Sequence, residues 1–281
     1  MEVLDTIEAA RSALRTARAA GQRIGFVPTM GALHAGHASL IARARFETDL
    51  VMVSIFVNPL QFSPGEDLAR YPRPFERDTS SAEKAGADLI FAPSVEEMYP
   101  HGALDTKVSV PALSEMMEGA SRPGHFDGVA TVVAKLFNVV GPSKAYFGEK
   151  DWQQLAVVRR MVADLSFPVE IIGCPTIREP DGLAMSSRNA YLDAEHRAAA
   201  VVLQRALGGG RMLVADGERS AAKVASTMWE IMASEPLADP LYASVVDAEL
   251  RGVREVGAGC RLLVAAQVGP ARLIDNEAAF P

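Results

Sequence analysis

Two histidines lie three residues apart in the segment His34-Ala35-Gly36-His37, which follows an apolar run that begins at Gly25. In the first turn of a helix this spacing puts both imidazole rings on one face. The beginning of a helix presents backbone N–H groups and a partial positive charge, which favour a phosphate chain. Neutral imidazoles donate hydrogen bonds to phosphate oxygens without carrying a full charge. The segment therefore predicts a nucleotide-binding corner at which chemistry occurs on a phosphate.

The same spacing would occur in a surface pair of histidines or in half of a metal site. Zinc needs at least three protein ligands, and the other histidines, His101, His125 and His196, are scattered along the chain. Spacing alone leaves phosphate chemistry and a structural role open, and the surrounding elements must decide between them.

Composition narrows the class of protein. The chain has 281 residues, of which 49% are hydrophobic and 22% are charged, as in an ordinary α/β enzyme. Its net charge of −7 argues against a nucleic-acid partner. Cys174 and Cys260 form no paired motif, which indicates thiols in a reducing compartment. We find no leader pattern and no apolar run that would span a bilayer, so we expect a cytoplasmic protein without a membrane partner.

Strand-like and helix-like segments alternate along the first half of the chain. The predicted strands cover residues 23–28, 50–57, 88–92, 144–148 and 169–174. The predicted helices cover residues 35–47, 75–86, 128–140 and 152–166. This alternation predicts an α/β fold, a Rossmann-like doubly wound parallel sheet with helices on both faces. Its ligands bind beyond the carboxyl ends of the strands.

Three polar turns follow predicted strands, and we expect them at the same edge of the sheet. They are the histidine turn, Asn58-Pro59-Leu60-Gln61 and Gly148-Glu149-Lys150-Asp151.

From residue 177 the pattern changes to Ala-rich helices over 193–213 and 220–234 and strands over 241–247, 261–268 and 271–274. We therefore predict a Rossmann-like domain over 1–176 and a smaller C-terminal α+β domain over 177–281, joined through residues 175–189. Gly208-Gly209-Gly210 predicts a break in a helix, because no Gly-Lys-Ser/Thr follows to make it a phosphate loop.

Further motifs accompany the histidine turn from one end of the chain to the other. They are Asn58-Pro59-Leu60-Gln61-Phe62, Tyr71-Pro72-Arg73, Arg122-Pro123-Gly124-His125-Phe126-Asp127-Gly128, Gly148-Glu149-Lys150-Asp151-Trp152-Gln153-Gln154 and Met185-Ser186-Ser187-Arg188-Asn189. His-x-Gly-His alone is specific only to the nucleotidyltransferase superfamily, which includes class I aminoacyl-tRNA synthetases. Taken together, the motifs resemble those of the pantoate–β-alanine ligase family.

The resemblance implies a ligase that condenses (R)-pantoate with β-alanine in two steps. The pantoate carboxylate attacks the α-phosphate of ATP and releases pyrophosphate. The β-alanine amine then attacks the resulting pantoyl adenylate and releases AMP. Such chemistry depends on positioning and electrostatics rather than on a covalent enzyme nucleophile. The resemblance also implies Mg²⁺ and a homodimer. The second domain, with residues 185–189 at its hinge, suggests closure over the substrates, because a lid would keep water from the acyl adenylate.

The resemblance assigns roles to individual residues. The catalytic set is His34, His37, Lys150, Ser186, Ser187 and Arg188. The ATP contacts are Met30, Gly31, Ala32, Leu33, His34, Ala35, Gly36, His37, Gly148, Glu149, Lys150, Asp151, Ile177, Met185, Ser186, Ser187 and Arg188. The pantoate and β-alanine contacts are Pro28, Met30, Asn58, Gln61 and Gln154, with Phe62 as a further apolar wall and Phe56 preferred as core. The candidate Mg²⁺ ligand is Asp78.

Several of these residues have a structural alternative. Lys150 suits phosphate oxygens, but a solvated pairing with Glu149 or Asp151 would also explain it. Ser186 and Ser187 would cap a helix, and Asn58 would form a turn before a proline. Arg122 and His125 are expected to close the site or to contact a dimer partner.

Two other functions compete with ligation. A nucleotidyltransferase that leaves the nucleotide on its product would use the same histidine turn. A non-catalytic nucleotide fold that binds RNA is opposed by the acidic net charge of −7.

Overall fold

The computed structural model describes residues 1–63, 66–102 and 105–280. Its strands are β1 (Glu2–Leu4), β2 (Ile24–Thr29), β3 (Leu50–Ile55), β4 (Leu89–Phe91), β5 (Ser143–Gly148), β6 (Val169–Cys174), β7 (Ala238–Val246), β8 (Arg261–Val268) and β9 (Ala271–Ala278). Its helices are α1 (Ile7–Ala19), α2 (Ala35–Glu47), α3 (Phe75–Ala85), α4 (Val95–Met98), α5 (Pro111–Ser114), α6 (Glu118–Ser121), α7 (His125–Val140), α8 (Trp152–Asp164), α9 (Ala194–Ala199), α10 (Val202–Ala215) and α11 (Ala221–Ala233). Short 3-10 turns cover Pro59–Gln61, Asp67–Ala69, Glu149–Asp151 and Ser187–Tyr191.

β1 to β6 form one sheet in the order β1-β4-β3-β2-β5-β6, and every neighbouring pair is parallel. The order of the strands reverses at β2, which pairs with β3 on one side and β5 on the other. In open parallel sheets the ligand crevice lies at such a reversal, beyond the carboxyl ends of the strands. The predicted Rossmann-like sheet is confirmed, and the three polar turns follow the neighbouring strands β2, β3 and β5.

The core of this sheet explains why its strands read as apolar runs. β2 and β3 are buried over most of their length, as parallel strands covered by helices are. α7 is also largely buried. Its Phe137 makes edge-on ring contacts with Phe26, Phe147 and Phe167, at centroid distances of 6.4, 6.4 and 5.8 Å.

The chain divides into two compact units. The first consists of residues 1–149 and 153–175, and the second of residues 150–152 and 176–281. In the second unit β7, β8 and β9 form an antiparallel sheet in sequence order. Apolar residues of β8, α10 and α11 make up its core, so the predicted smaller α+β fold is confirmed. In the described part of the chain, no helix is long and apolar enough to cross a membrane.

Two expectations about helices are wrong. The helix predicted over 193–213 is divided into α9 and α10. The break predicted at Gly208-Gly209-Gly210 does not occur, because α10 continues through all three glycines. A Cβ atom on Gly209 would lie 2.3 Å from Ile231 Cδ1, and one on Gly210 would lie 2.9 Å from Met228 Cγ. Close packing against α11 therefore outweighs the poor helix propensity of glycine.

Candidate active site

His34 and His37 cap the beginning of α2. His34 is the N-cap residue, and its Nδ1 accepts a hydrogen bond from the Gly36 N–H at 3.1 Å. His37 Nδ1 accepts a hydrogen bond from the His34 N–H at 3.3 Å. The ring centroids lie 4.1 Å apart. This is a reciprocal capping box built from two imidazoles in place of the usual serine and glutamate.

The cap determines which ring nitrogen carries the proton. An Nδ1 atom that accepts a backbone N–H carries no hydrogen, so the neutral ring has its proton on Nε2. Both rings are therefore Nε2–H donors, the form that suits a phosphate oxygen. The structural role and the phosphate role use different nitrogens, so the two alternatives left open by the spacing are compatible.

The turn before α2 is held by the carboxylate of Asp78 on α3. Its Oδ2 accepts the Ala32 N–H at 2.8 Å, and its Oδ1 accepts the Leu33 N–H at 2.7 Å. Gly31 and Ala32 both have positive φ, at +83° and +51°. A Cβ on Gly31 would lie 2.9 Å from Asp78 Oδ2. The turn thus needs glycine at position 31 and a carboxylate at position 78.

Asp78 does not fit its expected role as a direct Mg²⁺ ligand. Mg²⁺ demands octahedral oxygen ligands and usually keeps several waters. Asp78 is only 1% exposed, and each of its oxygens accepts a backbone N–H. Within the described ranges, no group of three or more His, Cys, Asp or Glu side chains is arranged to hold a metal ion. The carboxylate of Asp78 instead stabilises the turn before α2 through its hydrogen bonds to Ala32 and Leu33.

Asn58 and Gln61 form a buried polar corner after β3. Asn58 Oδ1 accepts hydrogen bonds from the Tyr99 hydroxyl at 2.7 Å and the Leu60 N–H at 3.3 Å. Asn58 Nδ2 donates to Gln61 Oε1 at 3.2 Å and to Gly128 O at 3.1 Å. Asn58 therefore forms the turn, as its structural alternative expected, and it also orients the amide of Gln61.

Gln61 extends this corner to the histidine turn. Its Nε2 lies 2.8 Å from the Sδ atom of Met30, the residue that follows β2. Three of the predicted pantoate contacts, Met30, Asn58 and Gln61, therefore lie together.

His125 and Arg122 support Gln61 through its backbone. His125 Nδ1 lies 2.7 Å from Gln61 O, and its Nε2 lies 3.0 Å from Arg122 Nη1. A carbonyl only accepts and a guanidinium only donates, so His125 is neutral with its proton on Nδ1. Arg122 forms two hydrogen bonds with Glu66, at 2.9 and 2.6 Å. Burial, together with the Arg122 charge, lowers the pKa of His125 to about 4.

The position of Gly128 explains why the motif that runs from Arg122 to Gly128 contains a second glycine. A Cβ at Gly128 would lie 2.2 Å from Leu60 O, so α7 approaches the Pro59–Gln61 turn closely only without a side chain there. The apolar pattern of α7 carries no signal for this contact, because the partner lies in a distant turn of the chain.

The remaining predicted residues of the first unit have different surroundings. Pro28 is half-buried on β2, and Gln154 is half-buried in the first turn of α8. The neighbouring Gln153 is buried and donates to Leu113 O and Met116 O, both at 2.8 Å. Phe56 is 5% exposed and packs edge-on against the Tyr99 ring, as expected of core.

Lys150 is held in the second unit through its backbone. Its carbonyl oxygen accepts a hydrogen bond from Asn276 Nδ2 at 2.8 Å. Its Nζ lies 3.6 Å from Asp151 Oδ1. The pairing with Asp151 that the structural alternative expected is present.

The segment from Ile177 to Arg188 folds as a narrow hairpin followed by a capped turn. The Met185 N–H donates to Ile177 O at 3.0 Å, and Arg178 pairs with Ala184 as an antiparallel bridge. Ser186 Oγ then accepts the Arg188 N–H at 3.3 Å, which caps the Ser187–Tyr191 turn.

Apart from Pro28 and Gln154, the predicted site residues fall into four groups, two in each unit. In the first unit, the turn Met30 to His37 stands with Asp78, and Asn58 and Gln61 stand with Met30. Gly148 ends β5, and Glu149 follows it. In the second unit, the Lys150 carbonyl is hydrogen-bonded to Asn276, and the segment from Ile177 to Arg188 forms the hairpin and the capped turn. Sequence reasoning missed Tyr99, the turn-holding role of Asp78, and Asp275 and Asn276 on β9.

Comparison with known proteins connects this geometry to a family. A family model for pantoate-beta-alanine ligase matches residues 2–278. The chain is 56% identical to the pantothenate synthetase of Chloroflexus aurantiacus over 278 residues, which cover 98% of this chain and 97% of that protein. It is 49% identical to the pantothenate synthetase of Rhizobium etli over 278 residues, covering 99% of this chain and 93% of that protein.

Solved structures agree with the sequence relatives. The pantothenate synthetase of Thermus thermophilus has a TM-score of 0.94 and 51% identity, and 100% of both chains is covered. The pantoate-beta-alanine ligase of Francisella tularensis, crystallised with beta-gamma ATP and beta-alanine, has a TM-score of 0.82 and 35% identity, covering 99% of this chain and 98% of that one. The chain therefore belongs to the pantoate–β-alanine ligase family.

Proposed function

We propose that this enzyme, an amide-forming ligase by family, condenses (R)-pantoate with β-alanine through a pantoyl adenylate and releases pyrophosphate and AMP. The observation that carries the proposal is the capped histidine pair. Two neutral rings with their protons on Nε2 begin a helix that follows the central strand, where the order of the sheet reverses. That arrangement suits the phosphates of ATP.

In the first step a pantoate carboxylate oxygen attacks the α-phosphorus of ATP. The new O–P bond forms as the bond from the α-phosphorus to the bridging oxygen breaks, and that electron pair leaves with pyrophosphate. His34 and His37 donate to oxygens that gain charge, with His37 assisting the departing pyrophosphate. Lys150, Ser186, Ser187 and Arg188 supply cationic or hydroxyl donors to the triphosphate.

Backbone and small residues complete the proposed nucleotide site. Its further members are Met30, Gly31, Ala32, Leu33, Ala35, Gly36, Gly148, Glu149, Asp151, Ile177 and Met185. The glycines and alanines allow a ligand to approach the backbone.

In the second step the β-alanine amine attacks the acyl carbon of the adenylate. The C–N bond forms, the electron pair of the broken C–O bond leaves with AMP, and the nitrogen releases a proton to solvent. Gln61 and Gln154 offer amide donors and acceptors to the hydroxyls and carboxylate of the substrates, while Pro28 and Met30 offer apolar contact. Asn58 serves the substrate site by orienting Gln61, since both of its N–H groups and both of its acceptor positions are used within the protein. The buried hydrogen bonds of Asn58 favour this role, because they fix the amide of Gln61 before a substrate arrives.

Mg²⁺ enters this proposal as part of the MgATP substrate, because Asp78 does not fit direct coordination. We expect Asp78→Asn to lower the adenylation rate about 10- to 100-fold, since the amide keeps one acceptor for the two turn N–H groups. The dependence of the rate on Mg²⁺ concentration should not change. A large rise in the Mg²⁺ concentration needed for half-maximal rate would instead make Asp78 a metal ligand.

A homodimer, a cytoplasmic location and a lid role for residues 177–281 stay predictions.

The test is to measure pyrophosphate and AMP release from MgATP with pantoate, with and without β-alanine. We expect pyrophosphate to form only with pantoate, and AMP to accumulate only after β-alanine is added. Pyrophosphate release with retention of the nucleotide on the product would favour the competing nucleotidyltransferase. Absence of pyrophosphate with any acid would contradict both.

A further inference from the structure

β9 carries three consecutive polar residues, Asp275, Asn276 and Glu277, in a unit whose other strand residues are mostly apolar. Asp275 and Asn276 are each 3% exposed. Successive side chains on a strand point to opposite faces, so two polar groups are buried on two sides of the same strand. Buried polar groups cost free energy unless they are hydrogen-bonded. Their partners therefore indicate what these residues do.

Asn276 binds the short segment that contains Lys150. Its Nδ2 donates to Lys150 O at 2.8 Å, and its Oδ1 accepts a hydrogen bond from Arg261 Nε. The Arg261 guanidinium lies 3.8 Å from the centroid of the Trp152 ring, a distance typical of cation–π contact. Asn276 and Arg261 thus hold residues 150–152 at both ends.

Asp275 binds the hairpin that leads to Ser186. Its Oδ2 accepts from Arg178 Nη1 at 2.6 Å, and its Oδ1 accepts from Arg178 Nη2 at 3.1 Å. Arg178 Nη1 also donates to Gly182 O across the hairpin at 3.0 Å, and its Nη2 lies 3.0 Å from Glu277 Oε1. The guanidinium therefore fastens both sides of the hairpin to β9.

A buried ion pair is weak support for stability, because desolvation offsets much of its attraction, and apolar replacements are often as stable. What the pair supplies here is a fixed geometry. The backbone N–H of Asn276 donates to Asp275 Oδ1 at 2.8 Å, so the two residues that hold the segments are also linked to each other. Adjacent residues of one strand hold two segments that lie far apart in the chain.

We infer that Asn276 and Asp275 are positioning residues that hold Lys150 and the hairpin before Ser186 in one fixed arrangement for the adenylation step. The inference rests on the proposed function, because it gives a purpose to the placement of residues assigned to the triphosphate. Misplacing a catalytic group by about 1 Å can cost roughly 10²-fold in rate.

The informative variant is Asn276→Asp. The carboxylate keeps an acceptor for Arg261, but it cannot donate to Lys150 O and repels that carbonyl. The matched control is Arg211→Ala, which removes the 2.9 Å contact of Arg211 with Glu277 on the same strand and leaves Asn276 and Asp275 untouched. Arg178→Lys is the companion variant for the hairpin, since lysine keeps the charge and loses the two-pronged contact.

Each variant is measured in the full-length enzyme by pantoate-dependent exchange of pyrophosphate into ATP and, separately, by conversion of supplied pantoyl adenylate with β-alanine. We expect Asn276→Asp and Arg178→Lys to lower the exchange rate about 10- to 100-fold and to raise the KM for ATP. The KM for pantoate and the adenylate-consuming step should change less than about threefold, as should all values for Arg211→Ala.

A double-mutant cycle separates positioning from general damage to the structure. If Asn276 acts through Lys150, Asn276→Asp should add little to the loss caused by Lys150→Ala. Exchange in Asn276→Asp that equals Arg211→Ala, an equal loss in both half-reactions, or full additivity with Lys150→Ala would overturn the inference. Failure of the proposed function looks different, because the unmodified enzyme would then show no exchange, or Lys150→Ala would retain all of it.

Discussion

At the scale of single residues, each histidine of the capped pair uses its two nitrogens differently. Nδ1 closes the helix cap, and Nε2 carries the proton. His125 has the opposite tautomer, because a carbonyl faces its Nδ1 and a guanidinium faces its Nε2. The same type of side chain thus exposes an Nε2–H donor in the proposed phosphate site and an Nδ1–H donor to a backbone carbonyl at His125. Its neighbours determine which.

The cap and the phosphate role of His34 can be separated by substitution. His34→Ser keeps a capping oxygen and loses the Nε2–H donor, whereas His34→Ala loses both. We expect both variants to lower the adenylation rate about 10²- to 10³-fold. Only His34→Ala should lose about 1 kcal/mol in the free energy of unfolding. The measurements are pyrophosphate exchange and urea unfolding, and normal exchange in His34→Ser would reduce His34 to a cap.

His125 should make stability depend on pH. Its pKa in the folded protein is lowered to about 4 from an ordinary 6.5, so the unfolded chain binds the proton first as pH falls. The free energy of unfolding should therefore be complete above pH 6.5 and decrease by up to about 3 kcal/mol between pH 6.5 and 4.

The control for this pH dependence is His125→Gln, which cannot titrate in that range. Urea unfolding at several pH values should show a smaller change in the free energy of unfolding with pH for the variant. Glu66 and Arg122 are the same in both proteins, so the difference between the two profiles reports His125. Parallel profiles for the two proteins would show that His125 does not cause the slope.

At the scale of elements, glycine has opposite effects at neighbouring positions of α10. A Cβ on Gly208 would meet nothing within 4 Å, whereas one on Gly210 would lie 2.9 Å from Met228 Cγ and 3.0 Å from Leu262 Cδ1. The first glycine only weakens the helix, while the second allows α10 to pack closely in the core.

Alanine substitutions distinguish these glycines. Gly208→Ala should raise the free energy of unfolding by about 0.5 to 1 kcal/mol through better helix propensity. Gly210→Ala should lower it by about 1 to 3 kcal/mol through overpacking. Thermal unfolding of the two variants checks the signs, and equal shifts in the same direction would contradict the packing argument.

At the scale of the whole molecule, the sheet concentrates polar turns where its strand order reverses. β2, β3 and β5 are neighbours, and all three end at the same edge. The sheet thus provides a rigid base for the histidine turn and the Asn58 corner. The second unit provides its own base in β9.

Substrates should therefore stabilise the folded protein measurably. Saturation with MgATP and pantoate at about 100 times Kd adds about 2.7 kcal/mol by mass action. We expect a clear rise in the unfolding temperature with MgATP plus pantoate and a smaller rise for Lys150→Ala. MgGTP, which has the same triphosphate, shows how much of the rise comes from the phosphates alone. The absence of any rise with MgATP plus pantoate would contradict the proposed nucleotide site.

Much of the first unit could be predicted because its signals are local. α2 and β6 follow directly from apolar patterns and turn residues, and the family motifs identify the candidate site. The run Gly208 to Gly210 misled because the partner that makes glycine favourable, Ile231 or Met228, lies on another helix. The turn-holding role of Asp78 was missed for a similar reason, because the backbone N–H groups that its carboxylate accepts belong to a turn 45 and 46 residues earlier. Long-range contacts of this kind leave no periodic trace in a sequence.

Residues 150–152 belong to the second unit although both flanking stretches belong to the first. This interleaving determines how the protein can be recombined with its relatives. A chimera that exchanges residues 176–281 alone would combine β9 of a relative with Lys150 of this protein. The hydrogen bond from residue 276 to the Lys150 carbonyl would then join residues from two different proteins. The second unit is therefore discontinuous in the chain, and a chimera that exchanges it should retain activity only when residues 150–152 are exchanged with residues 176–281.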